Sequence, residues 1–285
     1  MAALLALMSS LAWGTSDFMG GLAARRVGAI RVLAVSYPAG AVVITALAWL
    51  ILPGELTWSA AAIGFVAGVV GALAIGLLYA AMSRGQMGII SPITAVLSGA
   101  VPVVVGLVLG ESLSFIALLA IGVAGAAVVL VSRESGPHRR TPLRAIALAV
   151  GSGVAIGAYL SILGTASDES GIWVATVGRW YSTVLVLGIL LIIVQRARKS
   201  GTSDRPRSAF PWNLALAAGV LDALANAMFQ LAAQRGLLAI VAVIGSLYPA
   251  ATVVLARVLL KETLSKVQLL GVGLALFAAS VLALN

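Results

Sequence analysis

Long apolar runs separated by short polar segments occupy almost the whole chain. A helix that crosses a membrane needs roughly 20 mainly apolar residues, and these runs are too long and too little alternating for the strands of a membrane barrel. We therefore predict an all-α integral membrane protein. Its ten predicted spans cover residues 2–22, 31–52, 58–82, 88–109, 112–132, 142–163, 171–195, 211–234, 237–260 and 264–284.

A segment in the first half of the chain recurs in the second half. Residues 84–131 align without a gap on residues 235–282, which begin 151 positions later. Apolar matches are frequent between membrane segments, so the informative matches are the polar ones. These are an Arg-Gly pair at 84–85 and 235–236 and a Glu-x-Leu-Ser motif at 111–114 and 262–265. The chain is therefore predicted to be an internal duplication.

The number of spans within the repeat offset decides how the two copies are oriented. The offset contains five predicted spans, and an odd number of crossings makes the second copy enter the membrane from the opposite side. We therefore predict two inverted five-helix repeats, residues 1–132 and 142–285, joined by a cytoplasmic linker at 133–141. Inverted repeats are frequent in secondary transporters, because the halves can exchange conformations and open a central site to either side.

Composition and charge place the chain in the membrane and orient it there. The 285 residues are 61% hydrophobic and only 9% charged, which is not the composition of a soluble domain. The net charge of +9 comes from Lys and Arg between the apolar runs, so we expect membrane lipid and no nucleic acid as a partner. These residues concentrate in the loops after the odd-numbered spans. By the positive-inside rule those loops are cytoplasmic and both termini lie outside the cell membrane. The first apolar run has no basic residue before it, so we read it as an uncleaved span.

Four ionisable residues fall within the predicted spans: Asp17, Arg179, Asp222 and Arg257. A charge at the centre of a spanning helix costs roughly 2.5 to 3.5 kcal/mol, so each is expected to face a partner or water. Asp222 is the deepest carboxylate and the candidate for proton coupling, with an ion pair to Arg179 as the equal alternative. Arg179 is also a candidate for binding a substrate carboxylate through its paired donors. Asp17 is expected to be solvated or paired near the cytoplasmic loop, and Arg257 to extend its head group to the interface.

The eighth span carries the most polar helix face. Asp222, Asn226, Gln230 and Gln234 recur at four-residue spacing, which places them along one slowly turning face. A neighbouring row is small at the same spacing, and so is a row in the third span; such rows let helices approach closely. These rows are Ala215, Gly219, Ala223 and Ala227, and Gly64, Gly68, Ala72 and Gly76. The polar row has no counterpart in the first half, so we predict that Asn226 and Gln230 contact a substrate.

Aromatic and proline residues in the spans are further candidates. Cavity walls are expected from six aromatics, of which Trp13 and Tyr248 are the preferred substrate contacts: Trp13, Tyr37, Tyr79, Tyr159, Trp180 and Tyr248. Pro102 and Pro249 interrupt the hydrogen bonding of the fourth and ninth spans, because proline has no amide hydrogen. We predict that these two prolines are bending points for gating.

These features resemble the EamA domains of the drug/metabolite transporter superfamily. The resemblance rests on the two five-helix repeats, the pair Trp13-Gly14, Arg179, and the repeat endings GESLS at 110–114 and KETLS at 261–265. The second half departs from it with Ile156-Gly157 in place of Trp-Gly. The resemblance implies a ten-helix fold with a central cavity, and export or exchange of small metabolites such as amino acids.

A secondary transporter is therefore the leading functional hypothesis, working on a small-molecule metabolite as a monomer or homodimer. A flippase of lipids or lipid-linked sugars is the main alternative, because the same repeats can support it. An integral-membrane lipid enzyme is a weaker alternative, since the chain has no Cys and a single His in a loop. A channel is disfavoured by the lack of a ring of like charges. We expect no catalytic residues, no cofactor and no metal site.

Overall fold

The computed structural model of the chain describes residues 1–50, 54–82, 87–131, 142–200, 209–248, 250–251, 255 and 265–284. The protein is all-helical in these ranges and no strand occurs there. The helices are α1 (Ala2–Val27), α2 (Ala29–Leu50), α3 (Trp58–Met82), α4 (Met87–Val108), α5 (Phe115–Val131), α6 (Leu143–Gly164), α7 (Trp173–Lys199), α8 (Trp212–Ala233), α9 (Leu238–Gly245) and α10 (Lys266–Leu284).

The predicted fold class is confirmed at the level of helices. Among the described residues, five helices are long and apolar enough to cross a membrane: α2, α3, α6, α7 and α8. The ninth predicted span is described only in its first part, because most of its residues after Ala251 lie outside the described ranges. Multi-pass insertion follows from this set of apolar helices.

The helix contacts of the first half correspond to those of the second half when each helix is replaced by its counterpart. α1 packs on α8, and its counterpart α6 packs on α3; α2 also packs on α8, and its counterpart α7 packs on α3. α4 contacts α6 and α9 contacts α1 in the same way, whereas α2 meets α7 and α5 meets α10. Each of these contacts is therefore matched when the two halves are interchanged, whereas the contact of α1 with α2 has no comparable counterpart between α6 and α7. An internal duplication folded around a pseudo-two-fold axis has this property.

The small rows of α3 and α8 lie at these helix crossings. A Cβ added to Gly68 would stand 2.6 Å from the carbonyl oxygen of Gly178 in α7. A Cβ added to Gly40 in α2 would stand 2.7 Å from the carbonyl oxygen of Gly219 in α8. The backbones are therefore in direct contact at both crossings, as the small rows predict.

Apolar packing is continuous on one side of the molecule and divided on the other. We call the side on which α1 begins the terminal side, and the side on which α7 ends the basic side. The largest core cluster lies mainly on the terminal side and includes Ala6, Ile44, Val174, Phe229 and Ile244. Three separate smaller clusters occupy the basic side: one between α3, α4 and α6, one between α1, α2 and α8, and one between α2, α3 and α7. The described residues thus pack more continuously on the terminal side than on the basic side.

Glu111, in the first copy of the Glu-x-Leu-Ser motif, forms a contact between the two halves. The backbone amides of Leu238 and Ala239 donate to the carboxylate of Glu111 at 2.5 and 3.0 Å. These are the first amides of α9, which have no partner within the helix and favour a negative charge. Leu238 stands two residues after Gly236, which ends the Arg-Gly pair of the second copy. Glu111 therefore contacts the second half close to that pair in the chain, on the terminal side.

Replacing Glu111 by Ala is expected to lower the free energy of unfolding by about 1.5 to 3 kcal/mol, since a charge-assisted contact is lost and two amides lose their acceptor. Thermal unfolding of the purified protein in detergent measures the change. Glu55→Ala is the matched control, because Glu55 is exposed in the described structure. Equal melting temperatures for the two variants would contradict the capping role.

Candidate functional site

A cavity lies at the centre of the bundle. Its wall is formed by α1 to α4 of the first half, by α6 to α8 of the second, and by α9 with the residues directly after it. Its lining residues in α3 run from Gly71 to Leu78, in the half of that helix nearer the basic side.

An ion pair stands in the wall of this cavity. Nη2 of Arg179 donates to Oδ2 of Asp222, and the two side chains are 8% and 28% exposed. The guanidinium carbon of Arg179 lies 4.6 Å from the ring centre of Tyr37, in the geometry of a cation–π contact. Of the two readings left open by the sequence, the structure thus shows the ion pair. One donor group of Arg179, Nη2, is thus engaged by the protein itself.

The proton-coupling role of Asp222 stays a prediction. Asp222 lines the cavity, as that role requires. Its pairing with Arg179 adds a condition, because protonation of the carboxylate would leave the buried guanidinium without its counter-ion. Any coupling at this position therefore has to provide Arg179 with another partner.

Asn226 lies one turn after Asp222 and belongs to the same wall. The hydroxyl of Tyr159 donates to Oδ1 of Asn226 at 2.7 Å, and Nδ2 of Asn226 donates to the carbonyl oxygen of Asp222 at 2.7 Å. Both Asn226 and Tyr159 line the cavity. The first two members of the polar row of α8 therefore lie together at the cavity, held by a tyrosine of α6.

The last two members of that row form hydrogen bonds with the backbone at the start of α7 and just before it. Gln230 is fully buried; its Oε1 accepts from the amide of Ala175 at 2.9 Å and its Nε2 donates to the carbonyl oxygen of Gly171 at 2.7 Å. Nε2 of Gln234 donates to the carbonyl oxygens of Gly171 and Ser167. Gln230 does not line the cavity, so its placement gives no support to the predicted substrate contact and assigns it to the support of α7.

The two preferred aromatics, Trp13 and Tyr248, both line the cavity. The ring of Trp13 packs against Phe229 with centroids 5.5 Å apart, which fixes it on the terminal side of the cavity. Trp180 does not line the cavity: it is 44% exposed and donates to the hydroxyl of Thr45. The side chain of Tyr79 lies outside the described part of the chain.

The proposed gating prolines differ in their surroundings. Pro102 is buried within α4, whose helix runs on from Met87 to Val108, and Ser98, whose carbonyl Pro102 leaves without a helical donor, lines the cavity. α9 ends at Gly245, and Ser246 and Leu247 form a turn before the chain returns to helix. Pro249 and Arg257 lie outside the described residues.

Asp17 lies on the cavity wall, a position that its distance along the chain from the basic loop did not indicate. Its side chain is exposed on the cavity wall, and no hydrogen bond or ion pair joins it to any described residue. The expectation of a solvated or loop-paired carboxylate rested on its distance along the chain from the basic loop. The available signal was its spacing of four residues from Trp13, which puts both side chains on one face of α1.

Comparison with known proteins agrees with this architecture. A family model described as the EamA-like transporter family matches residues 1–133 and 143–284. The chain belongs to this family. The resemblance seen in the repeat endings and in the Trp13-Gly14 pair is thereby confirmed. It is a transporter of the EamA type, within the drug/metabolite transporter superfamily, and a multi-pass membrane protein.

A solved structure shares the fold of this EamA-family chain. That crystal structure aligns over 99% of this chain and 96% of its own, with a TM-score of 0.79 and 17% sequence identity. At this identity the likeness concerns the fold alone. A search of curated proteins returned no match.

Proposed function

We propose that this EamA-family protein is a secondary transporter that exports or exchanges small metabolites, such as amino acids, across the cytoplasmic membrane by alternating access. The observation that carries the proposal is the central cavity. Helices of both halves line it with polar and aromatic side chains. A site shared by two inverted halves is the arrangement on which such transporters operate.

The proposed architecture has ten spanning helices in two inverted repeats, residues 1–132 and 142–285, with residues 133–141 as a cytoplasmic linker and both termini outside. In that orientation the basic side faces the cytoplasm. The continuous apolar packing and the contact of Glu111 with α9 lie on the terminal side. The divided clusters lie on the basic side. These features support an inward-facing state, whose counterpart arises when the halves exchange their packing.

Substrate contacts are proposed from the residues that meet at the cavity. Trp13 and Tyr248 supply aromatic faces, and Asn226 supplies an amide held by Tyr159. Arg179 can hold a substrate carboxylate only where that carboxylate replaces Asp222. Coupling to protons through Asp222 belongs to the same proposal, because releasing Asp222 from Arg179 would link protonation to substrate binding.

Counterflow in proteoliposomes tests the transport function. Vesicles loaded with unlabelled amino acids, nucleobases or organic cations are mixed with a trace of the same labelled solute, and we expect one class to accumulate faster than in protein-free vesicles. Asn226→Leu should slow this exchange by about five- to tenfold, the worth of roughly one hydrogen bond. Asn213→Leu is the matched control on α8, because Asn213 is exposed at the start of that helix.

The outcome that would contradict the proposal is equally defined. Exchange of every solute class at the rate of protein-free vesicles would remove the transporter function. Transfer of a fluorescent lipid between leaflets, without solute exchange, would favour the flippase in its place.

A further inference from the structure

The charged groups of the cavity do not balance. Among the described lining residues, formal charges are carried by Asp17, Asp222 and Arg179. Arg179 and Asp222 neutralise one another in their ion pair. The carboxylate of Asp17 remains, so this part of the cavity wall carries a net charge of about −1, which attracts a cation.

Among the described residues, none supplies a cation to Asp17. Asp222 faces it from α8 and acts on it as a like charge. Tyr37 of α2 and Tyr248, just after α9, interact with it electrostatically, and neither carries a positive charge. A charged carboxylate inside a membrane protein is retained where it meets water, an ion or a ligand. Since its side chain is exposed to the cavity, a molecule within the cavity can reach it.

The walls near Asp17 define the kind of cation that fits. Trp13 lies one turn before Asp17 on α1, and rings of Tyr37, Tyr159 and Tyr248 line the same cavity. Aromatic faces attract organic cations through the ring quadrupole. Much of the remaining surface is apolar, with Ile75, Leu78 and Ile156 in the lining. Hard metal cations instead need several oxygen ligands at short range, so this composition favours a cation with an apolar body.

We propose that Asp17 is the counter-ion of a substrate ammonium group and that the cavity selects small organic amines of charge +1. The inference rests on the proposed transport function and narrows its substrate class from metabolites such as amino acids to amines that carry no carboxylate. An amino acid would bring a carboxylate as well, and the one described cation of the wall, Arg179, is 8% exposed and already paired. A monocationic amine leaves that pair intact and completes the charge balance of the cavity.

Proton competition follows from the same geometry. A proton on Asp17 removes the charge that holds the amine, so lowering the pH weakens amine binding. Loss of this pH dependence in Asp17→Asn would attribute it to Asp17 and not to Asp222.

Binding of four matched probes to the purified full-length protein tests the inference. The probes share one phenyl ring: phenethylamine is a cation, 2-phenylethanol is neutral, phenylalanine is zwitterionic and 3-phenylpropionate is an anion. Equilibrium dialysis is expected to show phenethylamine binding at least about tenfold more tightly than 2-phenylethanol, as for a charge-assisted hydrogen bond. Asp17→Asn should abolish this preference and Asp17→Glu should keep it. Asp168→Asn, an exposed acid outside the cavity, should bind as the wild type does.

Equal binding of phenethylamine and 2-phenylethanol to the wild type would overturn the inference, and so would a preference that survives in Asp17→Asn. Asp17→Ala replaces Asp17→Asn should the latter fail to fold. Tighter binding of phenylalanine than of phenethylamine would also overturn it. Counterflow of amino acids at the wild-type rate by Asp17→Asn would leave the transporter function standing and remove only the role of Asp17.

Discussion

Replacing Asp222 by Ala is expected to lower the free energy of unfolding by about 3 to 5 kcal/mol, because removing one partner of a buried pair leaves an uncompensated charge. Arg179 is only 8% exposed, and the ring of Tyr37 covers one face of its guanidinium. The ring does not replace a carboxylate, since a cation–π contact contributes about 0.5 to 2 kcal/mol. Arg179→Ala should destabilise less, because Asp222 is 28% exposed and keeps contact with water in the cavity.

A double-mutant cycle separates the pair from its two members. Arg179→Met with Asp222→Leu removes both charges and keeps similar volumes, so we expect this protein to be more stable than the single variant Asp222→Leu, which with Arg179→Met and the wild type completes the cycle. Thermal unfolding in detergent measures all four corners, and solute exchange in proteoliposomes should be lost in each variant. Asp168→Ala serves as the control for loss of an acid. Additive effects of the two single substitutions would contradict a direct pair.

The apolar pattern predicts the helices well and their ends less well, for a physical reason. Hydropathy measures which residues prefer lipid, whereas a helix ends only where the backbone leaves the helical conformation. α1 runs past the predicted end at residue 22 to Val27, where Gly28 takes a φ of 86°. α7 likewise continues through its last basic residues to Lys199. In both helices the extra turn lies among charged residues, which the search for apolar runs leaves out.

The polar row of α8 shows how far spacing alone can place a site. Residues four apart are about 40° out of register on a helix of 3.6 residues per turn, so the row rotates steadily around α8. Asp222 and Asn226 face the cavity, whereas Gln230 and Gln234 have rotated to the start of α7. The sequence predicts the polar row of α8. Which of its members line the cavity depends on how the neighbouring helices pack against α8.

Contacts between segments that are distant in the chain could not be predicted from the sequence. The repeat singles out Glu111 without naming its partner, because the amides of Leu238 and Ala239 are backbone groups that every residue type carries. Tyr37 stands in α2, and nothing in its local pattern indicates that Arg179 of α7 lies over its ring. Both contacts depend on how the two halves cross. The duplication indicates that the two halves contact each other. Only the structure shows which residues face one another where they cross.

Gly219→Ala is expected to lower the free energy of unfolding by about 1 to 3 kcal/mol, the usual cost of inserting a methyl group into a filled space. The added Cβ would overlap the backbone of Ser36 in α2, and a backbone cannot move aside as a flexible side chain does. α2 and α8 would have to separate, and these helices hold Tyr37 and Asp222 in the cavity wall. Solute exchange should therefore fall together with stability.

Gly76→Ala is the matched control for this crossing. Gly76 also lies within a spanning helix and belongs to the other small row, but a Cβ added there meets no atom within 4 Å. Both substitutions replace Gly by a better helix former, a gain of about 0.8 to 1 kcal/mol in each case. The difference between their melting temperatures in detergent therefore isolates the contact between α2 and α8. Equal stabilities would mean that the bundle tolerates separation at this crossing, and that close approach of the small rows does not hold the two halves around the cavity.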